Sequence, residues 1–212
     1  LPDPVAFREH LAPFGVCPSD EECARAHYVG MAVIDELGTA DFLQASRSIV
    51  RLFGVAEEVH EAASAAVDTA YKSSWVPVAG AGAQLRRLQA AGVSLAVVSN
   101  ATGAVEAELA GHGICAVAGG CVGKGLPEVA VVIDSCVVGV EKPDPAIFSL
   151  ALEVLDVAAE RCMYVGDSVH FDVNGALAAG LHPVHLTAVA GCPGNHLHYR
   201  ALSDFVDAFL GT

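Results

Sequence analysis

Residues 164–180 read YVGDSVHFDVNGALAAG and carry two carboxylates five positions apart, Asp167 and Asp172, just beyond an apolar run that ends at Gly166. Acids at the mouth of a hydrophobic strand bind a cation or move protons, and each needs partners. Two other segments offer them. VVSNAT (97–102) sets a hydroxyl, Ser99, and an amide, Asn100, after a Val-rich run, and EKPDP (141–145) sets an ammonium, Lys142, just ahead of a helix start. A hydroxyl with neighbouring backbone N–H groups, an ammonium and a carboxylate pair suit an anionic phosphoryl group beside Mg²⁺. In that arrangement Ser99 and the Asn100 N–H hold phosphoryl oxygens, Lys142 supplies positive charge and Asp167 binds the metal. Asp172, one helical turn further on, serves as a second acid near the metal or orients Lys142.

Each residue also has a plainer role to be weighed against the chemical one. Ser99 suits a strand-end turn, Lys142 a solvated surface, Asp167 a helix N-cap, and Asn100 a purely backbone contact. Asp134 ends another apolar run, and turn formation before Gly139 accounts for it. What favours chemistry is the combination, which depends on the elements that carry these residues.

Up to about residue 75 the chain shows helical periodicity and no strand. One helix is expected over Pro4 to Phe14. A second opens at the capping box Ser19-Asp20-Glu21-Glu22 and runs towards Leu37, and two more cover Asp41 to Phe53 and Ala56 to Lys72. VPVAGAG (76–82) then acts as a Pro/Gly hinge. Beyond it the rhythm changes to short continuous apolar runs, VSLAVVSN (93–100), EVAVVID (128–134), CMYVGD (162–167) and HPVHLT (182–187), alternating with helical segments. In one of these, Asp144 caps and Pro145 takes the first helical position. Such alternation predicts an α/β fold with a parallel sheet covered on both faces. Ligands of these sheets bind beyond the carboxyl ends of the strands, where Ser99, Asn100 and Asp167 stand. The expected domains are a helical unit over 1–75 and a Rossmann-like core over 76–212.

Composition narrows the function classes. With 53% hydrophobic and 17% charged residues, the 212-residue chain is long enough and apolar enough for a sizeable core. A formal net charge of −14 argues against nucleic acid, and no apolar run reaches the ~20 residues of a membrane span. An anionic substrate then requires a local positive charge or a metal. Seven cysteines, an odd count with no CxxC pair, read as reduced thiols of a cytoplasmic protein. A zinc site built from Cys115 and Cys121 is disfavoured. So is a histidine metal site, since His170, His182 and His185 read as helix-surface and strand-end residues and His196 and His198 as an exposed loop. Tyr71 and Trp75 near the hinge read as packing residues, and Arg25, Arg47 and Arg51 of the helical unit as cations of undecided role.

Taken in order, Ser99 after its strand, Lys142 in EKPDP and GDSVHFDVNGA resemble the second, third and fourth motifs of the haloacid dehalogenase superfamily of hydrolases, in the type with a helical cap inserted near the N-terminus. The resemblance extends over nearly the whole chain. It implies a Mg²⁺-dependent phosphatase of a small phosphorylated metabolite, working through an aspartyl-phosphate, as a monomer or homodimer. The same resemblance admits a phosphomutase or a haloacid dehalogenase, though two crowded acids suit a cation better than a leaving halide. One departure stands out. The family's first motif, DxDxT, supplies the nucleophile, and no two aspartates here stand two apart. LPDPV at the start resembles the connection between the nucleophile strand and the cap, so the first core strand is expected to be absent from these residues. On that reading the 212 residues alone do not turn over substrate, and a binding protein without a nucleophile is the remaining alternative.

Overall fold

The computed structural model describes residues 1–120, 123–189 and 194–212, with the backbone alone at Ser73. Cys121 and Cys192 lie outside the described residues, and with Cys121 the Cys115/Cys121 zinc reading. The chain divides into two compact units, one of Leu1–Val76 with Asp167–His170 and Thr187–Gly194, the other of Pro77–Gly166, Phe171–Leu186 and Asn195–Thr212.

The first unit holds helices α1 (Pro4–Leu11), α2 (Asp20–Leu37), α3 (Phe42–Leu52) and α4 (His60–Ser73), the first three of which start at a capping side chain. The Asp3 carboxylate accepts from Val5 N at 2.8 Å ahead of Pro4, and Asp41 accepts from Gln44 N at 3.1 Å. The capping box at α2 is formed in both directions, Glu22 N donating to Ser19 Oγ at 3.2 Å and Ser19 N to the Glu22 carboxylate at 2.7 Å. The helix expected over Pro4 to Phe14 is shorter. It gives way to a 3₁₀ turn over Ala12–Phe14, because Pro13 brings no N–H to the helical ladder. Likewise Glu57–Val59 form a 3₁₀ turn before α4. The helices enclose Phe7, Leu11, Cys23, Ala26, Ile49, Val50, Val67 and Ala70. Fully burying a Leu, Ile, Val or Phe side chain contributes about 1.5–3 kcal/mol.

In the second unit every strand ladder is parallel, as the continuous apolar runs require. β1 (Val97–Ser99) and β4 (Val132–Asp134) pair with Ser99 opposite Asp134; β2 (Ala116–Val117) pairs with β3 (Glu128–Val129); and β5 (Met163–Gly166), β6 (His182–Leu186) and β7 (Leu197–Tyr199) form a third ladder in that order. Among the described residues no ladder joins β1 to β5. Tyr164 links them instead, its hydroxyl donating to the Val98 carbonyl at 2.9 Å. Helix α8 (Pro145–Leu155) packs Ile147 and Phe148 against Val98 and Ile133, while α5 (Ala81–Ala90) and α10 (Leu202–Leu210) pack Leu88, Phe205 and Val206 against Val184 and Leu186. Short helices α6 (Val105–Gly111), α7 (Ser135–Val138) and α9 (Asn174–Ala178) complete the unit. The expected single strand over 128–134 is two short strands in two ladders.

The segment after Asp167 corrects a simple helical expectation. Val169–Val173 turn as a π-helix before α9 begins, and such bulges commonly mark functional sites. The histidines also differ from expectation. His185 is buried within β6, and His198 lies in a strand, β7, not in a loop. A three-residue strand is too short for its alternation to register in sequence.

Candidate active site

Lys142 precedes α8 and is held from several sides. Its Nζ donates to Asp172 Oδ1 at 2.6 Å and to the Tyr164 hydroxyl at 3.1 Å. The Lys142 and Asp172 side chains are 12% and 5% exposed, so this is a buried ion pair. Burial alone would lower the Lys142 pKa, but the Tyr164 oxygen and the Asp172 carboxylate outweigh it and leave the ammonium held well above the ordinary lysine range. Burial, reinforced by the Asp172 charge, pushes the Tyr164 phenol up as well. At neutral pH the site therefore contains a fixed cation and a neutral hydroxyl.

The backbone around Lys142 is fixed by Asn100. The Lys142 N–H donates to Asn100 Oδ1 at 2.8 Å, and Asn100 Nδ2 donates to the Lys142 carbonyl at 3.0 Å. The Asn100 side chain thus clamps EKPDP to the end of β1, next to Ser99. Asp134, 5% exposed, stabilises the following loop by accepting from Gly103 N at 2.8 Å, Val105 N at 3.4 Å and Cys136 N at 2.9 Å. Its role reaches beyond the turn before Gly139 expected from sequence.

Two glycines permit the close packing. A Cβ at Gly166 would overlap the Asp172 side chain, and one at Gly175 would press on the Phe148 ring at 2.7 Å and the Pro143 carbonyl at 3.1 Å. The π-helical turn and these bare positions bring Asp172 back against β5 and within reach of Lys142.

Asp167 follows Gly166 of β5 directly in the chain, and its carboxylate meets His27 of α2, Nε2 to Oδ2, at 2.6 Å. The side chains are 12% exposed for His27 and 41% for Asp167. A carboxylate only accepts, so Nε2 bears the proton, and the buried Nδ1 has no hydrogen-bond partner among the described residues. The charge of Asp167 is felt widely. It adds to burial in raising the Tyr28 and Tyr71 phenols. Ser168 Oγ and His170 N both donate to Asp35 Oδ1 at 2.8 Å, which fixes the turn after Asp167.

Of the residues singled out in the sequence, Ser99, Asn100, Lys142 and Asp172 come together in the second unit, whereas Asp167 has its shown partner in the first. Tyr164, His27 and Asp35 were not anticipated. A tyrosine inside an apolar strand was a usable signal, since a buried phenol needs a partner; nothing in the sequence marks His27 or Asp35. Of the arginines, Arg47 meets Glu61 at 3.5 Å on the surface. Tyr71 packs edge-on against Phe7 with ring centroids 5.2 Å apart, and Trp75 bridges to Pro2. No helix among the described residues is long and apolar enough to cross a membrane.

Comparison with known proteins places the chain among its relatives. Haloacid dehalogenase-like hydrolase domain-containing protein 3 of Bos taurus is 35% identical over 115 residues, 54% of this chain and 41% of that protein. A phosphoserine phosphatase of Thermus thermophilus is 44% identical over 64 residues, 30% of this chain and 26% of that protein. The chain thus spans less than half the length of these curated relatives. In fold it is similar to YfnB of Bacillus subtilis, a HAD-hydrolase bound to magnesium, with a TM-score of 0.59 at 17% identity over 98% of this chain and 90% of that one. The family model for haloacid dehalogenase-like hydrolases matches residues 5–180, and with that match and the parallel α/β core, the chain belongs to the haloacid dehalogenase-like hydrolases.

Proposed function

We propose that this chain is the substrate-holding part of a Mg²⁺-dependent phosphatase of small phosphorylated metabolites. The observation that carries the reading is the buried ammonium of Lys142, kept charged by Asp172 and Tyr164 and clamped by Asn100 beside Ser99 at a strand end. In an acidic chain this is a local cation built to meet an anion. Ser99 Oγ and the Asn100 N–H would hold phosphoryl oxygens, and Lys142 would neutralise the charge that grows on them in the transition state. The likeness to a phosphoserine phosphatase supports phosphoryl over halide chemistry.

The residues present fit Mg²⁺. Asp167 is a hard oxygen donor, exposed enough for the waters that Mg²⁺ retains. Asp172 fits a supporting position, because its carboxylate is engaged by Lys142. When bound, the ion would polarise the phosphoryl group. His27 holds Asp167 by a hydrogen bond and would orient that carboxylate.

Turnover through an aspartyl-phosphate also requires an acceptor carboxylate, and the 212 residues contain no D-x-D pair. β1 and β5 each have a single ladder neighbour among the described residues, and we infer that a strand bearing the acceptor pairs there. The test is phosphate release from a panel of phosphomonoesters in Mg²⁺. A protein with a strand ending in D-x-D-x-T joined ahead of Leu1 should turn over, and the 212 residues alone should not. Lys142→Ala in the joined protein should cost on the order of 10²-fold or more in kcat. Robust turnover by the 212 residues alone would overturn the account of the acceptor. Inactivity of the joined protein on every ester, with tight binding of one of them, would favour a non-catalytic binding protein.

A further inference from the structure

Three histidines converge at the β6–β7 edge, away from the Lys142–Asp172 pair in the chain and unused by the proposed chemistry. His185 of β6 stands in register with His198 of β7. His196 lies in the bend that leads into β7, two residues ahead of His198. The rings meet as a cluster, with centroids 5.5 Å apart for His185–His198, 5.7 Å for His185–His196 and 4.3 Å for His196–His198. One nitrogen from each ring lies within 4.8 Å of the others.

We propose that His185, His196 and His198 form a binding site for a borderline divalent transition ion of the zinc type. Imidazole nitrogens select such ions over Mg²⁺, which prefers oxygen. In a tetrahedral site with bonds of 2.0–2.1 Å, ligand nitrogens lie about 3.4 Å apart. The observed spacing approaches this, and rotation of the exposed His198 side chain closes the remainder. Burial grades across the cluster, with His185 buried, His196 half-buried and His198 exposed. The ion is therefore fixed from beneath by a rigid strand and reachable from solvent, with a fourth position left to water. Three protein ligands with one open position is the pattern of an exchangeable or catalytic site and not of a closed structural one. Its immediate effect is to tie β7, a strand of only three residues, to β6. A bulky core role explains His185 alone, but not two further imidazoles on the exposed side of the same edge.

The test uses the 212-residue chain and Zn²⁺ alone, titrated calorimetrically in a large excess of Mg²⁺ so that the oxygen sites are saturated. One equivalent should bind, and His196→Ala/His198→Ala should weaken it by about 100-fold or more, since losing even an outer partner of a metal ligand costs 10–100-fold. His198→Ala alone, at an exposed position, gives the same reading in smaller degree if the double variant folds poorly. Co²⁺ in place of Zn²⁺ should give visible d–d bands without thiolate charge transfer, which separates imidazole ligands from the cysteines. Equal affinity in wild type and the variants, thiolate charge transfer, or no binding by the wild type would each overturn the site. None of these readouts depends on phosphatase activity.

Discussion

A lysine buried beside a carboxylate and a phenol gives its site a pH signature. The pKa of Lys142 is raised by Tyr164 and Asp172 against the effect of burial, and that of Tyr164 is raised by burial and Asp172. A raised folded-state pKa contributes stability that is fully present below the unfolded value and lost as pH climbs towards the folded one. The ordinary values are 10.5 for lysine and 10.0 for tyrosine. Stability should therefore hold level through neutral pH with respect to these groups and fall above about 10. Tyr164→Phe should lower the plateau by about 1–3 kcal/mol through its lost hydrogen bonds and make the alkaline fall shallower. Urea unfolding across pH checks both, and an alkaline limb unchanged in the variant would contradict the assignment. Removing the charge partner is harsher. Asp172→Asn leaves a buried ammonium without its counter-charge and should cost about 3–5 kcal/mol, read from urea midpoints at pH 7. A loss under 1 kcal/mol would mean that the pair is solvated in solution.

At the scale of elements, the short segments around Lys142 are held in register by side chains that hydrogen-bond to backbone. Asp134, opposite Ser99 on the neighbouring strand, accepts from three backbone N–H groups and ties the loop after β1 to β4. Asp134→Ala should leave these donors unsatisfied, at about 1–3 kcal/mol. Hydrogen exchange at Gly103 and Val105 should accelerate while α8 stays protected. Protection unchanged at those two amides would show that the loop is held by packing alone. The π-helical turn performs the corresponding task for Asp172, because the turn and the bare Gly166 together let the carboxylate fold back against β5.

For the chain as a whole, the governing quantity is a net charge of −14, against which the ammonium of Lys142 stands as a largely buried cation. On the proposed function, an anionic ester would approach against a repulsive field that salt screens over about 10 Å at 0.1 M. The short-range attraction to Lys142 sits in a buried pair and is screened less. Raising ionic strength from about 20 to about 200 mM should therefore raise kcat/KM for a phosphomonoester in the joined protein. A steep fall with salt would instead reveal a basic steering surface and contradict this balance.

Sequence alone determined the classes of structure and the order in which they follow. Capping boxes, Asp-Pro helix starts and continuous apolar runs are local signals, written within a few residues, and so α2, α8 and the parallel strands were legible. Ser99, Lys142 and GDSVHFD could be singled out as candidates because polar residues at the ends of apolar runs stand out. What only the tertiary structure decided are the pairings between distant segments. The Asn100 clamp on the Lys142 backbone, the Tyr164 bridge to Val98 and the His27 contact with Asp167 span 42, 66 and 140 residues of chain. No periodicity records them, because they arise from the register of strands and the packing of helices and not from local spacing. The histidine cluster has the same origin, since His185 and His198 meet only through the parallel β6–β7 register.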